Sequence, residues 1–182
     1  LNVLPQISYS MPSLQFGDTP FYLDSSGSFV NYNKKAPANT NLAEINSIRF
    51  DGNSSFSLPL KVAFIEFSPN IKVQETYWNK DVYGSASISR TVFSSGANMS
   101  TKFYRIFDIK SNFLSMDINR IRHVITPTIA YSYQHTPTVP SSKLIQMDGV
   151  DSVNGTSQNA TFELSNKLQT KRKNQKVDLA NF

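Results

Sequence analysis

The chain has 182 residues and a net charge of +5, and 39% of its residues are hydrophobic, which is below the roughly 45–50% of an ordinary globular protein. It contains no cysteine, which excludes disulfides and thiolate metal sites. Its longest apolar run, Val62 to Ile65, is far too short for a transmembrane helix of about 20 apolar residues. No signal peptide opens the chain. We therefore expect a mature or internal fragment whose two ends lie inside strands.

The first 44 residues predict two strands. Alternation of apolar and polar residues predicts a short strand over Val3–Tyr9. Proline and glycine then predict a turn over Met11–Pro20. A second, weaker strand follows over Phe21–Asn33, and the polar stretch Lys34–Glu44 is predicted to be a loop.

The stretch Ser47–Trp78 has the clearest pattern in the chain. It predicts two long strands, each with one apolar and one polar face, joined by a connection around Lys61–Phe64. Both run well past the usual strand length of about 5–6 residues, and about 9–11 tilted residues cross a membrane in a β-barrel. The pattern therefore predicts a hairpin of a membrane-spanning barrel. The apolar face carries Ile48, Phe50, Gly52, Ser54, Phe56, Leu58 and Leu60, then Ile65, Phe67, Pro69, Ile71, Val73 and Tyr77.

The second half of the chain continues the alternation of strands and connections. In chain order the pattern predicts a loop over Asn79–Arg90, an extended stretch over Val92–Asp108, a connection over Ile109–Asn119, a strand over Arg120–Gln134, the longest loop over His135–Ser157, a strand over Ala160–Arg172, and the start of an eighth strand over Lys176–Phe182.

The connection lengths indicate which way the strands point. Outer-membrane barrels have short periplasmic turns and longer outer loops. If Lys34–Glu44, Asn79–Arg90 and His135–Ser157 face outward, every other connection falls on the periplasmic side. An aromatic girdle at the membrane interface would then be formed by strand-end residues next to these loops. These residues are Tyr77, Trp78, Tyr131 and Tyr133.

We therefore predict an all-β fold: an antiparallel transmembrane β-barrel, present here in part, as about seven to eight strands of a larger barrel. Residues 1–182 would form part of one barrel domain, with no separate second domain. An isolated sheet exposes two unpaired edges, so we do not expect this part to fold alone. A soluble β-sandwich that acts as a binding module remains an alternative, because its strands alternate too.

Charged and polar residues on the polar strand faces are candidates for lining a barrel lumen. Charges that face lipid cost several kcal/mol near the membrane midplane, so charged strand residues are expected inside. There they could contact a plug or a passing sugar or phosphate, or pair with neighbours. The candidates are Arg49, Asp51, Lys72, Gln74, Arg120 and Arg122.

The strongest basic cluster lies near the end of the chain. It could attract the phosphate groups of a glycolipid or a nucleic acid, although most such charge runs are solvated turns. The cluster contains no interleaved stacking aromatics, which argues against nucleic acid. Its members are Lys167, Lys171, Arg172, Lys173 and Lys176.

Catalytic chemistry is not indicated. The two histidines, His123 and His135, are too few for a metal site with three or four ligands. A structural position at the membrane interface is the simpler interpretation of His123. No glycine-rich phosphate loop, nucleophile elbow or paired-carboxylate spacing is present. We expect no enzyme activity and no cofactor.

A resemblance enters at Arg122–Tyr133, whose sequence RHVITPTIAYSY is similar to a motif, roughly RHxxxPxxxYxY, in the barrel domain of the LPS-assembly protein LptD family (also called OstA or Imp). The matching positions are Arg122, His123, Pro127, Tyr131 and Tyr133. Further pieces resemble that family in the same order along the chain. They are LPQISYSMP at 4–12, GDTPFYLD at 17–24, RFDGNSSFSLPLK at 49–61, FSPNIKVQETYW at 67–78 and NKLQTK at 166–171.

The resemblance implies a function: insertion of lipopolysaccharide into the outer leaflet of the bacterial outer membrane. It implies three partners besides membrane lipid, namely lipopolysaccharide, an LptE-like lipoprotein plug, and a periplasmic Lpt bridge that acts through an N-terminal jelly-roll domain not covered here. Nucleic acid is not expected. Family members have more barrel strands than this chain supplies, so it would be an internal portion of the barrel wall. A general outer-membrane pore or small barrel is the alternative within the same fold class.

Overall fold

The computed structural model describes residues 2–34, 45–112, 118–172 and 175–182. A 3-10 helix covers Ser141–Lys143. Within the described ranges, no helix has the length and apolar character needed to cross a membrane. The strands are β1 (Asn2–Gln15), β2 (Tyr22–Lys34), β3 (Ile45–Ser57), β4 (Leu60–Val62), β5 (Ile65–Trp78), β6 (Ile88–Thr101), β7 (Phe103–Ser111), β8 (Ile118–Gln134), β9 (Ser157–Arg172) and β10 (Gln175–Asn181).

All ten strands belong to one sheet, in the order β1-β2-β3-β5-β6-β8-β9-β10. The short strands lie off this path, because β4 pairs with β5 and β7 pairs with β8. The path therefore has eight positions, each strand beside its neighbours in sequence. β1 and β10 end the order, so the sheet is not closed among the described residues. The all-β antiparallel prediction is confirmed, and a β-sandwich would require two sheets instead of this one.

One compact unit comprises residues 1–58, 69–96 and 132–159. It contains the loop 79–87 and the loop 135–156, between β5 and β6 and between β8 and β9. β2 and β3 pair without interruption from Tyr22↔Ser57 to Lys34↔Ile45. β3 then pairs with β5 from Arg49↔Trp78 to Ser57↔Asn70. This confirms the hairpin predicted over Ser47–Trp78.

A second unit comprises residues 59–68, 97–131 and 160–182. Here β4 and β5 are joined by two residues, since Val62 and Ile65 are register partners. β8 carries an irregularity at Arg120, whose φ is +61°. The register of β7 against β8 shifts at the same place, between Phe107 and Lys110. Two β7 residues, Asp108 and Ile109, oppose the single β8 residue Arg120 there. This bulge and the positive φ of Arg120 break the strict alternation of side chains, so the side of the sheet that Arg120 faces could not be read from the sequence.

The first unit has an exposed apolar face. Register places Ile7, Phe29, Phe50 and Tyr77 in one row across four strands. The ring centroids of Phe29 and Phe50 lie 4.8 Å apart and those of Phe50 and Tyr77 6.3 Å apart. Nevertheless Phe50 is 51% exposed and Tyr77 40%. Large apolar patches are uncommon on soluble monomers and mark protein or membrane contact surfaces. The predicted apolar strand faces are therefore not packed into a core.

Two predicted connections differ from the structure. Met11–Gln15 belongs to β1, so the turn prediction over Met11–Pro20 is wrong in its first half. Pairing with β2 outweighs the turn composition, and Pro12 is tolerated because it lies at a register shift on a strand with only one partner. In the connection predicted over Ile109–Asn119, both ends are strand and residues 113–117 lie outside the described residues. Residues 35–44 of the predicted loop Lys34–Glu44 also lie outside them.

Candidate functional site

The loop 135–156, here called the cap loop, lies over the polar face of the first unit. Register places Tyr32 beside Ser47 and Arg49 beside Trp78 on the face opposite the exposed aromatic row. Paired residues in neighbouring strands project to the same side of a sheet. Side chains on this side are buried beneath the cap loop, with Arg49 3% and Trp78 2% exposed. At these ends of β2, β3 and β5 the polar side of the sheet is thus the covered side.

Two carboxylates of the cap loop bind Arg49. Its guanidinium donates from Nη1 to Oδ1 of Asp148 and from Nη2 to Oδ2 of Asp148, each at 2.7 Å. Nη1 also donates to Oδ1 of Asp151 at 3.0 Å. The hydroxyl of Tyr32 donates to Asp148 at 2.7 Å, and the guanidinium lies over the Tyr32 ring, 5.2 Å from its centroid. Such a bidentate arginine–carboxylate pair is both strong and geometrically specific.

Asp151 is the buried centre of this arrangement, with 0% exposure. Besides Arg49, the indole Nε1 of Trp78 donates to Oδ1 at 2.9 Å. The amides of Met147 and Asp148 donate to Oδ2 at 2.9 and 3.1 Å. One carboxylate therefore orders its own loop through two amides and attaches it to the sheet through two side chains.

A second buried arginine holds the backbone of the cap loop. Arg90, on β6, is 0% exposed. Its guanidinium donates to the carbonyl oxygens of Val150, Asp151 and Val153 and lies 5.1 Å from the centroid of the Trp78 ring. We call Tyr32, Arg49, Trp78, Arg90, Asp148 and Asp151 the anchor cluster. It joins two guanidinium groups to two carboxylates, and this charge balance makes burial of Arg49, Arg90 and Asp151 possible.

Two apolar residues of the cap loop are also buried. Leu144 and Ile145 are 1% and 8% exposed. The carbonyl of Lys143 accepts a hydrogen bond from the amide of Val82, in the loop 79–87, at 3.0 Å. The cap loop is therefore a folded structure held at several points.

The pKa of Asp148 supplies a test of the anchor cluster. Burial raises this pKa, but the hydrogen bonds from Arg49 and Tyr32, together with the charge of Arg49, outweigh burial and lower it to about 2. The folded protein thus favours the carboxylate. The contribution of this carboxylate to the free energy of unfolding is complete above a pH of about 3.9, the pKa of an aspartate in the unfolded chain, and is lost as the pH falls through 2.

We predict that Asp148→Asn lowers the free energy of unfolding by about 1 kcal/mol at pH 6, a modest value because the Asp148 side chain is 41% exposed and partly screened. The difference between the two proteins should shrink between pH 4 and pH 2. Urea titrations of both proteins in detergent micelles across this range would measure it. A difference that is independent of pH would show that the carboxylate charge is not what holds the loop.

The structure brings together some of the predicted lumen residues. Asp51 accepts hydrogen bonds from Gln74 at 2.8 Å and from Thr76 at 2.6 Å, beside the anchor cluster residue Arg49. Lys72 is exposed and lines a separate groove with Asp24. Three of the candidates therefore share one stretch of the polar face, and Lys72 lies further along it.

The remaining predicted residues lie on β8 in the second unit. Arg120 is exposed and forms an ion pair with Asp108 at 3.0 Å, and Arg122 stacks over the Tyr104 ring at 4.3 Å. Their contacts belong to the second unit, and so does the hydrogen bond of His123 to Asn166. The other positions of the family motif have these surroundings. Nε2 of His123 lies 3.1 Å from Oδ1 of Asn166, and the hydroxyl of Tyr133 is hydrogen-bonded to Nδ1 of His135 at 3.0 Å. Tyr131 is exposed and Pro127 is half-buried.

Sequence reasoning missed most of the anchor cluster. The sequence pattern predicts Trp78 in an aromatic girdle at the membrane interface, which is wrong, because Trp78 lies on the polar face beneath the cap loop. The same pattern predicts Arg90 in a loop, whereas Arg90 is on β6. Asp148 and Asp151, two acids three positions apart in the longest predicted loop, were the feature of the sequence that could have indicated the cluster. Their spacing alone could not show which arginines they bind.

Comparison with protein families decides the identity of the chain. The family model described as LptD protein matches residues 18–180. The chain belongs to the LptD family. A search of curated proteins gave no significant match. LptD-family proteins act in the transport and assembly of lipopolysaccharide in the outer membrane of Gram-negative bacteria, and the family is not one of enzymes. The resemblance proposed from the sequence motifs is confirmed.

Within the described residues of this LptD-family chain, no group of three or more histidine, aspartate or glutamate side chains is arranged to hold a metal ion. The acids of the anchor cluster are instead bonded to arginines and backbone amides. The chemistry available to the cluster is therefore binding and positioning of the cap loop.

Proposed function

We propose that this chain forms part of the wall of an outer-membrane barrel domain that delivers lipopolysaccharide to the outer leaflet. The exposed apolar face would contact membrane lipid, and the polar face would line the lumen. The observation that carries the proposal is the two-sided sheet: Phe50 is half exposed on one side, whereas Arg49 is buried on the other. A water-soluble domain would reverse this arrangement.

The cap loop gives the polar side a specific role in this proposal. Because it lies on the polar face, it would lie inside the barrel near the outer end of the strands. A loop fixed there by two buried arginines would narrow the route straight through the barrel. Lipopolysaccharide would then have to leave sideways into the membrane, which distinguishes this wall from that of a passive diffusion pore.

The other proposed assignments follow from membership of the LptD family. Lipopolysaccharide would be the substrate, an LptE-like lipoprotein would occupy the lumen, and a periplasmic Lpt bridge would deliver the glycolipid through a domain outside this chain. The polar-face residues would contact plug or substrate, with no catalytic step, cofactor or nucleic acid. These residues are Asp51, Lys72, Gln74, Arg120 and Arg122, whereas Arg49, which is buried beneath the cap loop, would hold that loop in place.

Depletion of the full-length protein in its source bacterium tests the proposal. We expect surface-exposed lipopolysaccharide, detected by labelling of intact cells, to fall as the protein is depleted and to recover when the wild-type gene is restored. Uptake of a small hydrophilic dye provides the second readout. Unchanged surface lipopolysaccharide together with reduced dye uptake would contradict the proposal and favour a general pore.

A further inference from the structure

A basic cleft in the second unit has a composition that the barrel-wall role does not explain. It lies between β8, β9 and β10 and has a volume of about 300 Å³, which is at the lower limit of small-molecule sites of about 300–1,000 Å³. Four cationic side chains line it together with three neutral polar ones. The charged lining residues are Arg120, Arg122, Lys171 and Lys176, and the polar ones are Asn119, Gln169 and Thr170.

The two lysines face each other across the pairing of β9 and β10. Lys176 is the direct register partner of Lys171, and both side chains are exposed. Like charges placed directly opposite each other on neighbouring strands destabilise a sheet. Nothing in the fold of this hairpin requires two lysines at these positions, so the arrangement indicates an anion that both would bind.

The nearby carboxylates do not neutralise the cleft. Asp108 pairs with Arg120 at 3.0 Å. Asp178 accepts hydrogen bonds from Lys167 at 3.0 Å and from Gln169 at 2.7 Å, and it also lies within electrostatic reach of Lys176. The described residues around the cleft thus have a net positive charge. They include five cations and two carboxylates, namely Arg120, Arg122, Lys167, Lys171 and Lys176 with Asp108 and Asp178.

The cleft is shaped by contacts that fix its walls. The hydroxyl of Thr170, which is 3% exposed, accepts from the amide of Asn119 at 3.0 Å and donates to the carbonyl of Arg120 at 3.0 Å. These two hydrogen bonds connect β9 to β8 at Asn119 and Arg120, where β8 is irregular. Arg122 is oriented by stacking on Tyr104, and its buried Nε donates to no group in the described part of the chain. A guanidinium held in this way can offer several N–H groups to one anion.

We propose that this cleft binds a phosphoryl group, presented by a lipid headgroup or as free phosphate. Arg122 would donate to the phosphoryl oxygens in a forked geometry, and Lys171 and Lys176 would supply compact charges from the other side. A cleft of this size leaves space for the sugar or glycerol that carries the phosphate. The proposal concerns a binding site on this chain, and it would stand whether or not the wider transport role does.

Binding to the full-length protein in detergent micelles tests the site. The probes are a soluble short-chain phosphatidic acid, inorganic phosphate, and a short-chain diacylglycerol, which carries no phosphoryl group. We expect Lys171→Gln/Lys176→Gln to weaken phosphatidic acid binding by tenfold or more in calorimetric titrations at low salt. The control Lys61→Gln/Lys143→Gln removes the same charge from exposed lysines outside the cleft and should change the affinity less than twofold.

The outcomes separate the sources of phosphate and the alternatives. Tighter binding of phosphatidic acid than of inorganic phosphate supports a lipid headgroup, and equal binding supports free phosphate. Unchanged affinity in the double variant, an equal loss in the control, or equal binding of the diacylglycerol would overturn the site. Preferential binding of an acidic hexaglutamate peptide would also overturn it, in favour of a protein partner. None of these results bears on the depletion experiment, so the two proposals fail independently.

Thermal stability distinguishes a ligand role from a structural one. If the opposed lysines serve binding, the double variant should melt at the same temperature as the wild type or higher, because a repulsion is removed. A lower melting temperature, with phosphatidic acid affinity unchanged, would show that Lys171 and Lys176 support the fold instead.

Discussion

Replacing Asp151 by asparagine is expected to release the cap loop from the sheet. The substitution keeps the volume of the side chain but removes the charge that Arg49 binds at 3.0 Å. Removal of one partner of a buried ion pair leaves an uncompensated charge, and such changes cost about 3–5 kcal/mol. We expect about 3 kcal/mol, at the lower end of that range, because Asp148 still binds Arg49.

The expected response is local opening before global unfolding, because the cap loop is the part of the structure that the charge holds. Amide hydrogen exchange at Met147 and Asp148 reports it directly, since both amides donate to the Asp151 carboxylate. A loss of about 3 kcal/mol corresponds to exchange faster by about 100-fold. Limited proteolysis within the loop should accelerate in the same variant.

Asp81→Asn is the matched control. Asp81 is also a loop aspartate that accepts hydrogen bonds from backbone amides, those of Tyr83 and Ser85, but it binds no buried arginine among the described residues. Exchange at Met147 and Asp148 should be unchanged in this control. Equal acceleration in both variants would mean that the anchor cluster is not what holds the cap loop.

Replacing Ile71 by arginine is expected to prevent stable insertion of the protein into a membrane. Ile71 lies near the middle of β5 and is 47% exposed on the apolar face. An arginine on the lipid face of a barrel costs about 2–4 kcal/mol at the membrane midplane. We therefore expect the free energy of unfolding from lipid vesicles to fall by about that amount, with less protein assembled in the outer membrane of cells.

The neighbouring residue provides a matched control. Asn70→Arg adds the same side chain one position earlier in β5, on the polar face that already carries Lys72. If the two faces differ as proposed, Asn70→Arg should insert and unfold nearly as the wild type does. The proposed membrane contact would be contradicted if both variants insert equally well, or if Asn70→Arg is the more damaging one.

Strand positions could be predicted from the sequence where one face is continuously apolar. β3 and β5 are examples, because the alternation over Ser47–Trp78 has a period of two and only an extended chain places such residues on one side. The prediction failed over Met11–Gln15, where local turn composition competed with hydrogen bonds to β2. Those bonds join residues distant in sequence, so local patterns carry little information about them.

The same limit applies to the cleft on β8–β10. The basic residues near the end of the chain were visible in the sequence, but a cluster in sequence need not be one in space. Lys167 turned out to be paired with Asp178, whereas Lys171 and Lys176 are brought together by strand register. Arg122, from a strand more than 40 residues earlier, completes the cleft.

The all-β antiparallel class, the two-sided character of the strands and, through its motifs, the LptD family could all be predicted from the amino-acid sequence. These properties follow from local periodicity and short motifs. The binding of Arg49 by Asp148 and Asp151, across about 100 positions of sequence, and the burial of Trp78 beneath them became apparent only from the three-dimensional fold. A buried ion pair depends on which loop folds back over which strand, and neither the period nor the composition of either segment contains that information.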